Sequence, residues 1–225
     1  RLTDAVRQGR TAIEIETGKK PFEYLLGEEN VRHTFNRAMT AISSVAAEAF
    51  VAAYDLSGFG TIVDVGGGHG RLLSAALQQA PSAQGVLFDL PEVVADAPAV
   101  LESLGTQARV RVVGGSFFDS VPAGGDLYVM KAIIHDWDDA EALKILQRVR
   151  EAANPSSKLV LYETVVTAPN DKHFAKLLDI EMIVHAGGRE RTQAEYSELF
   201  RKAGFRLSRV LPTAGPASVI EALPG

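Results

Sequence analysis

Apolar residues recur at two different spacings along this chain, and the change of spacing divides it into two regions. From Asn30 to about Tyr54 they recur every three or four residues, which predicts one long helix with an apolar stripe. Before that helix we predict only a short helix, Leu2–Gly9, and a loop with one apolar turn. Later in the chain, short apolar runs alternate with stretches of helical spacing. We therefore predict a helical segment over residues 1–58 and an α/β domain over residues 59–225.

The alternation in the second region predicts a doubly wound, mostly parallel sheet, because parallel strands need helical crossovers between them. Its first five predicted strands are Thr61–Val65, Gln84–Phe88, Val110–Val113, Leu127–Met130 and Lys158–Tyr162. Helices are predicted at Leu72–Gln79, Val93–Leu104, Ala140–Ala153 and Phe174–Val184. One more helix is expected after Thr192, where Glu195 completes a capping box. The runs Arg206–Leu211 and Ser218–Ala222 predict a hairpin at one edge of the sheet.

Composition and charge narrow the class of partner. The chain has 225 residues, no cysteine and a net charge of −5, with its basic residues scattered along the sequence. This scatter argues against a nucleic-acid surface, and no apolar run has the length of a membrane span. The lack of cysteine excludes disulfides, thiolate zinc sites and a cysteine nucleophile. We therefore expect a cytoplasmic protein that acts on a small molecule.

The stretch from Thr61 to Arg71 is the strongest candidate for a ligand site. A predicted strand leads into a turn with alternate glycines, which are Gly66, Gly68 and Gly70. Glycine permits positive φ and close approach of a ligand, and the first amides of the following helix can bind an anion. The third glycine of the dinucleotide fingerprint would fall at Arg71, so the spacing differs from that of an NAD-binding turn. The turn is a candidate nucleotide cradle, although a turn that binds nothing has the same features.

Two polar residues near predicted strand ends are candidates for chemistry. Asp89 ends the second strand, where a carboxylate can accept both hydroxyls of a ribose, and it could also cap the helix that begins near Pro91. His135 follows the fourth strand, and histidine can take a proton near neutral pH. Doubly wound sheets bind ligands at the carboxyl ends of their strands, so His135 is a candidate general base.

The residues after His135 are assigned mainly to structure. Asp138 is followed three positions later by Glu141, which predicts a capping box for the next helix. Trp137 is the only tryptophan, and we expect it to pack in the core rather than to stack on a ligand. Asp136 fits either a structural role or a role in the site.

Five ordered motifs give the chain its resemblance to a known family. They are Asp-Val-Gly-Gly-Gly-His-Gly, Phe-Asp-Leu-Pro, Gly-Gly-Ser-Phe-Phe, Lys-x-x-x-His-Asp-Trp and Gly-Gly-Arg-Glu-Arg-Thr. Together they resemble the S-adenosylmethionine-dependent small-molecule O-methyltransferases, which include plant caffeate and flavonoid enzymes and bacterial natural-product enzymes. The resemblance implies a Rossmann-like sheet of seven strands with an antiparallel last strand, preceded by a helical dimerisation domain. Residues 1–58 would be the remnant of that region, and the complete protein a homodimer.

The resemblance also implies roles for individual residues. His135 matches the family's general base, and Glu163 and Glu190 match the carboxylates that flank it. The positions that match contacts to S-adenosylmethionine are Ser43, Asp64, Gly66, Gly68, Asp89, Leu90, Ser116, Phe117 and Lys131. Ser116 departs from the pattern, because many plant members have Asp there to hold the adenine amino group. The candidate residues of the acceptor pocket are Phe35, Met39, Asp136, Met182 and His185.

The activity implied by the resemblance is transfer of a methyl group from S-adenosylmethionine to a phenolic hydroxyl, with His135 as the base and no metal. Three alternatives stay open. They are a cofactor-binding relative that supports hydroxylation or decarboxylation, a truncated and inactive cofactor-binding domain, and an NAD-dependent dehydrogenase, which Arg71 disfavours. The presence of His135 with both glutamates favours methyl transfer. The sequence does not name the acceptor or the position that is methylated.

Overall fold

The first region of the chain is helical. The computed structural model describes the backbone of residues 1–225 and every side chain except those of Leu26 and Thr40. The helices of this region are α1 (Leu2–Gln8), α2 (Ala12–Thr17), α3 (Pro21–Gly27) and α4 (Glu29–Ala53). The predicted long helix is therefore present as α4. In the described part of the chain, no helix is both long and apolar enough to cross a membrane.

The segment between α1 and α4 forms two helices where we predicted a loop. α2 begins with a capping box, in which the amide of Glu14 donates to Thr11 Oγ1 over 3.0 Å and the Glu14 carboxylate accepts the Thr11 amide. Gly18 ends α2 with a φ of 71°, and Pro21 lies in the first turn of α3. The prediction was wrong because Gly18 and Pro21 mark the end of one helix and the start of another, as these residue types often do.

The second region contains a seven-stranded sheet with the order β3-β2-β1-β4-β5-β7-β6. The strands are β1 (Thr61–Val65), β2 (Gln84–Asp89), β3 (Val110–Gly114), β4 (Leu127–Lys131), β5 (Lys158–Thr164), β6 (Phe205–Pro212) and β7 (Ala217–Pro224). Neighbouring strands from β3 to β5 pair in parallel, and β7 runs antiparallel to both β5 and β6. The predicted fold class, a mostly parallel seven-stranded sheet with an antiparallel last strand, is confirmed.

Six helices of the second region connect or follow these strands. They are α5 (Arg71–Gln79), α6 (Pro91–Val94), α7 (Ala97–Ser103), α8 (Asp139–Ala152), α9 (Ala175–Val184) and α10 (Gln193–Lys202). The predicted helix Val93–Leu104 is wrong in one respect, because it is two short helices, α6 and α7. Pro98 lies in the first turn of α7 and has no amide hydrogen with which to continue the helix from α6.

The two predicted capping boxes have different outcomes. At the start of α10, Thr192 and Glu195 exchange both hydrogen bonds, so this box is confirmed. At the start of α8, the Asp138 carboxylate accepts the amides of Ala140 and Glu141 over 2.9 and 2.8 Å. The described contacts of Glu141 include no return bond, so Asp138 is an N-cap without a box.

Apolar side chains from the two faces of the sheet form two cores. Successive strand residues point to opposite faces, so Val63 and Val65 pack against α8 and α10, whereas Ile62 packs against α4, α5 and α7. The C-terminal half of α4 is anchored in the second core by Phe50 and Tyr54, which are 0% and 2% exposed. The strand order reverses between β1 and β4, and such a switch point leaves a crevice at the carboxyl ends of the two strands.

Candidate active site

The glycine turn between β1 and α5 forms one wall of that crevice. Gly66, Gly68 and Gly70 all have positive φ, at 71°, 58° and 79°. A Cβ on Gly66 would come within 2.5 Å of the Ile133 side chain, whereas a Cβ on Gly68 would meet nothing within 4 Å. The turn therefore packs closely on one side and leaves open space on the other.

Asp89, at the end of β2, is held by the glycine turn. Its Oδ2 accepts the amide of Gly68 over 2.8 Å, and its Oδ1 accepts the amide of Leu90 over 2.7 Å. The alternative of a helix cap is not formed, because α6 begins after Leu90 without a side-chain cap. Burial raises the pKa of Asp89, although these two amides oppose the rise. Its carboxylate is fixed at the rim of the crevice.

The crevice contains a cavity of about 290 Å³, here called the inner cavity. It collects most of the predicted cofactor and acceptor positions from five separate parts of the chain. These are Phe35, Met39, Ser43, Gly66, Gly68, Asp89, Leu90, Ser116, Phe117, Lys131 and Asp136. The described residues that line it do not include Asp64, Met182 or His185. They also do not include the three predicted catalytic residues, His135, Glu163 and Glu190.

Several polar residues that line the inner cavity were not predicted as site residues. They are Arg32, Asn36, His69 and Arg71, the last noted only because it breaks the dinucleotide spacing. A signal for two of them existed, because Arg32 and Asn36 precede Met39 and Ser43 at helical spacing on one face of α4. Residues on the same face of α4 as Met39 and Ser43 are therefore candidates for lining the cavity.

Asp64 lies beneath the glycine turn and is 2% exposed. Burial raises its pKa to about 7, although the positive charge of Lys131 opposes the rise. Within the described part of the chain, neither Asp64 Oδ2 nor Arg71 Nε has a hydrogen-bond partner. Buried polar atoms without a partner are uncommon in proteins and often mark a place where a ligand or water completes the network. Both atoms border the turn, which fits a polar cofactor there.

His135 stands on a single 3₁₀ turn, Ile134–Asp136, directly after β4. The side chain is buried, and its Nδ1 lies 2.6 Å from Glu190 Oε1 and 3.8 Å from Glu163 Oε2. Its Nε2 faces Asp136 Oδ1 at 3.6 Å. Because Asp136 lines the inner cavity, the second ring nitrogen of His135 lies just behind the cavity wall.

The two glutamates that flank His135 have different contacts. Glu190 bonds the imidazole directly, and its other oxygen accepts the hydroxyl of Thr164. Glu163 Oε1 instead accepts the amides of Ile133 and Ile134 over 2.9 and 2.8 Å, so it holds the backbone that leads to the histidine. The resemblance assigned both glutamates to positions flanking His135. In the structure, Glu190 bonds the imidazole ring, whereas Glu163 bonds backbone amides.

The charges of this cluster are strongly coupled. Burial disfavours the imidazolium form of His135, but the negative charges of Glu163 and Asp136 and the hydrogen bond to Glu190 outweigh it and raise the pKa of His135 to about 10. Burial raises the pKa of Asp136 to about 7 and also raises that of Glu163, and the positive imidazolium opposes both. The surrounding carboxylates therefore favour the protonated imidazole of His135.

Trp137 packs among aromatic rings but also lines the inner cavity, so the expectation that it does not stack on a ligand stays a prediction. Its ring stacks on Phe22 with centroids 5.1 Å apart and meets the edges of Phe117 and Phe118 at 5.9 and 4.8 Å. Phe22, Trp137 and Asp136 also line a second cavity of about 620 Å³, here called the outer cavity, which extends toward α1 and α2. The stacked pair separates the two cavities.

The remaining predicted acceptor residues lie on and after α9. Met182 is buried at 5% exposure, and His185 follows the helix as its C-cap. The His185 ring stacks on Phe35 with centroids 6.1 Å apart, and Phe35 lines the inner cavity. Burial lowers the pKa of His185. His185 therefore supports the cavity wall from behind, through Phe35.

The fold and the site together define a class: a doubly wound α/β protein with a glycine-turn cavity at its switch point and a buried, carboxylate-held histidine beside that cavity. Comparison with known proteins identifies the family within this class. The sequence profile of the O-methyltransferase domain matches residues 1–206, and the chain belongs to that family.

Individual relatives agree with this assignment. The chain is 42% identical over 219 residues to the phenazine O-methyltransferase of Lysobacter antibioticus, an alignment that covers 97% of this chain and 64% of that enzyme. It is 34% identical over 224 residues to the 8-amino-8-demethylriboflavin N,N-dimethyltransferase of Streptomyces davaonensis, covering 98% and 64% of the two chains. The chain thus spans about 64% of the length of these curated relatives.

A solved structure extends the comparison to three dimensions. It is an O-methyltransferase from neocarzinostatin biosynthesis in complex with S-adenosyl-L-homocysteine and 1,4-dihydroxy-2-naphthoic acid. The two structures superpose with a TM-score of 0.91 at 33% identity, over 100% of this chain and 67% of the other. The predicted family resemblance is confirmed.

Proposed function

We propose that this chain is the catalytic part of a cytoplasmic, S-adenosylmethionine-dependent O-methyltransferase that acts on a phenolic hydroxyl of an aromatic small molecule. The observation that carries the proposal is the buried His135, held at Nδ1 by Glu190 over 2.6 Å with Nε2 toward the cavity wall. A ring held through one nitrogen presents the other to a substrate proton, which is the arrangement of a general base.

The residues around the inner cavity fit the cofactor. Asp89 offers a carboxylate to the ribose hydroxyls at the rim, and the side of the turn at Gly68 is open. Phe117 supplies an apolar face for adenine, and Ser43 and Lys131 supply polar contacts. When bound, S-adenosylmethionine supplies a methyl group on a positively charged sulfur. The related neocarzinostatin enzyme holds the demethylated form of the same cofactor.

The proton of the acceptor is assigned to His135 Nε2. A phenol has a pKa near 10, so it becomes a good nucleophile only as a base removes its proton. His135 must first lose its own proton. That loss is favoured by like-charge repulsion from the positively charged sulfur of bound S-adenosylmethionine. Glu190 then stabilises the imidazolium that forms when the acceptor proton arrives. The step needs no metal.

A panel of phenols with labelled S-adenosylmethionine, read by mass spectrometry, tests the proposal. We expect a product heavier by one methyl group, formed equally in EDTA, and loss of this product in His135→Ala. His33→Ala is the matched control, because His33 is an exposed histidine on α4. If His135→Ala methylated phenols as fast as the wild type, the base assignment would be wrong.

The same panel separates the alternatives. A product heavier by one oxygen would indicate hydroxylation, loss of carbon dioxide would indicate decarboxylation, and cofactor binding without turnover would indicate a scaffold. An amine acceptor belongs in the panel, because one relative is named as an N,N-dimethyltransferase. Methylation of amines alone would contradict the proposed phenol.

We also propose that the complete protein is a homodimer. α1, α4 and α9 expose large apolar side chains that a monomer would leave in water. These are Leu2, Val6, Ile42, Val45, Phe174, Leu177 and Ile180. Exposed apolar patches of this kind commonly mark interfaces between proteins. Sedimentation of the complete protein would give twice the monomer mass, and a monomer at all concentrations would contradict the proposal.

A further inference from the structure

The backbone that carries His135 begins with a strained residue. Ala132, directly after β4, has a φ of 52°, and within the described residues it is the only non-glycine with positive φ. For a residue with a Cβ this conformation is sterically strained. Such strain persists only where the surrounding structure holds it in place. Glu163 supplies part of the restraint through the amides of Ile133 and Ile134.

A second restraint comes from residues 188–192, here called the strap. The strap begins at Gly188, which lies directly against the 3₁₀ turn. A Cβ on Gly188 would overlap backbone atoms of His135, Asp136 and Trp137, so only glycine fits at this distance. The next residue, Arg189, donates its amide to the carbonyl of His135 over 2.8 Å. Strap and turn are therefore in backbone contact.

Arg191 of the strap spans both ends of the same turn. Its side chain is 1% exposed, Nη1 donates to Ile134 O over 3.0 Å, and Nη2 donates to Trp137 O over 2.9 Å. Nε and Nη2 also donate to Asp139 Oδ1 over 3.0 and 2.8 Å. The planar guanidinium satisfies all these acceptors at once, which a lysine ammonium at the end of a flexible stem cannot do.

The strap is tied to the sheet beyond this contact. The carbonyl of Arg191 accepts the amide of Val166, just after β5, over 2.9 Å. Glu190, the residue before Arg191 in the strap, bonds the imidazole of His135. One short segment therefore supplies the ring partner of His135 and grips the backbone on which His135 stands.

We propose that Gly188 and Arg191 are positioning residues that fix the His135 turn relative to Glu190 and the inner cavity. This inference rests on the proposed role of His135 as the base. Gly188 allows the close approach, and Arg191 holds the two carbonyls so that the strained turn cannot relax. Neither residue lines the inner cavity, and each acts through the place it gives to the imidazole.

The variant Arg191→Lys tests this inference with three measurements. We expect kcat to fall roughly 10²-fold, because small displacements of a catalytic group have effects of this size. Calorimetric binding of S-adenosyl-L-homocysteine should stay within about twofold of the wild type, because Arg191 does not line the inner cavity. The pKa of the His135 imidazole, followed by NMR, should move down from about 10, because the ring drifts from its carboxylates.

Arg109→Lys is the matched control. Arg109 also grips main-chain carbonyls, those of Leu77, Ala80, Pro81 and Ala83, but at the far end of α5. We expect a loss of stability in this variant with kcat and the His135 pKa unchanged. If Arg191→Lys kept the wild-type kcat and His135 pKa, the positioning role would be overturned.

Two further variants keep the test decisive. Asp139 is 65% exposed, so Asp139→Asn should fold even if Arg191→Lys does not. This variant weakens the hold on Arg191, so both kcat and the pKa of His135 should fall, each by less than in Arg191→Lys. Wild-type values of kcat and of the His135 pKa would overturn the inference. His135→Ala separates the two proposals. Full activity there refutes the base assignment, whereas an inactive His135→Ala beside a fully active Arg191→Lys refutes only the positioning role.

Discussion

The two sides of the inner cavity are built in opposite ways. The main-chain part of the proposed cofactor side is one continuous stretch, the glycine turn after β1, with Asp89 of the neighbouring strand bonded to the amide of Gly68. The base side is assembled from residues far apart in sequence: His135, Glu163 and the strap at 188–192. The first depends on backbone conformation and the second on buried charges. Substitutions should therefore affect binding on one side and chemistry on the other.

The largest expected effect is on the base side. Glu190→Gln removes the charge that bonds His135 Nδ1, so kcat should fall roughly 10²–10⁴-fold, the usual worth of an oriented base. Steady-state kinetics across pH would measure it. In the wild type, kcat/KM should rise with pH toward about 10, because the base must be neutral.

The pH profile of this variant sharpens the assignment. Loss of a negative partner lowers the pKa of His135, so the rise should occur at lower pH in Glu190→Gln. Glu198→Gln is the control, because Glu198 on α10 pairs with Arg201 at the surface. An unshifted profile in Glu190→Gln would mean that another group titrates.

The next effect belongs to the cofactor side. Gly66→Ala places a Cβ at positive φ and against Ile133, so the turn must shift. We expect the dissociation constant of S-adenosyl-L-homocysteine to rise roughly 10- to 100-fold, with kcat at saturating cofactor little changed. Gly124→Ala has a similar φ of 91° with nothing within 4 Å, so it controls for strain alone. Equal losses in kcat and in binding would contradict the division of the site.

Asp64 is the buried carboxylate beneath the glycine turn, and its effect should appear as pH-dependent stability. Its folded pKa of about 7 exceeds the unfolded value near 3.8, so the folded state holds the proton more tightly between these values. The contribution of Asp64 to the free energy of unfolding is fully present below about pH 4 and is lost as the pH rises to about 7. Asp64→Asn should remove that loss and be roughly 1–3 kcal/mol more stable than the wild type at pH 8.

Chemical denaturation at pH 4 and pH 8 measures the Asp64 effect. Asp119→Asn is the control, because Asp119 is exposed and should leave the pH dependence unchanged. A steeper fall of stability with pH in Asp64→Asn would show that the buried carboxylate is stabilised when ionised.

The smallest expected effect concerns the end of the strap. Thr192→Ala removes the α10 cap and should cost about 1 kcal/mol of stability, seen as a lower Tm. Thr11→Ala removes the equivalent cap of α2 and is the matched control. We expect only the first variant to lower kcat, and by a small factor, because Thr192 adjoins Arg191. If Thr192→Ala and Thr11→Ala had the same kcat, Thr192 would have no part in positioning His135, and the positioning segment would be residues 188–191.

The cofactor side could be predicted because its signal is local. Gly66, Gly68 and Asp89 carry their meaning in the residue type and in the strand that precedes them. The alternation of strands and helices predicted a doubly wound, mostly parallel sheet but not its strand order. Thr192 with Glu195 was readable as a capping box. Local chemistry did not always suffice, because Asp138 caps α8 without the return bond from Glu141 that the same pattern predicted.

The base side could be predicted only in part, because its signal is non-local. The resemblance supplied His135 and both glutamates, but no spacing shows that Glu163 bonds backbone amides while Glu190 bonds the ring. Arg191 reads as one more surface arginine in the sequence, yet it is 1% exposed. A buried charge is recognisable only when its acceptors, far away along the chain, are known.

The position of β7 in the sheet has a consequence for synthesis of the chain. β7 lies between β5 and β6, and Glu163 of β5 pairs with Ser218 of β7. During translation, β5 therefore emerges with one side unpaired, and β6 has no place in the sheet until β7 follows it. An unpaired strand edge can recruit another chain. We expect ribosome-bound chains shorter than about residue 217 to be more prone to aggregate than the released protein, which a translation-arrest series would measure.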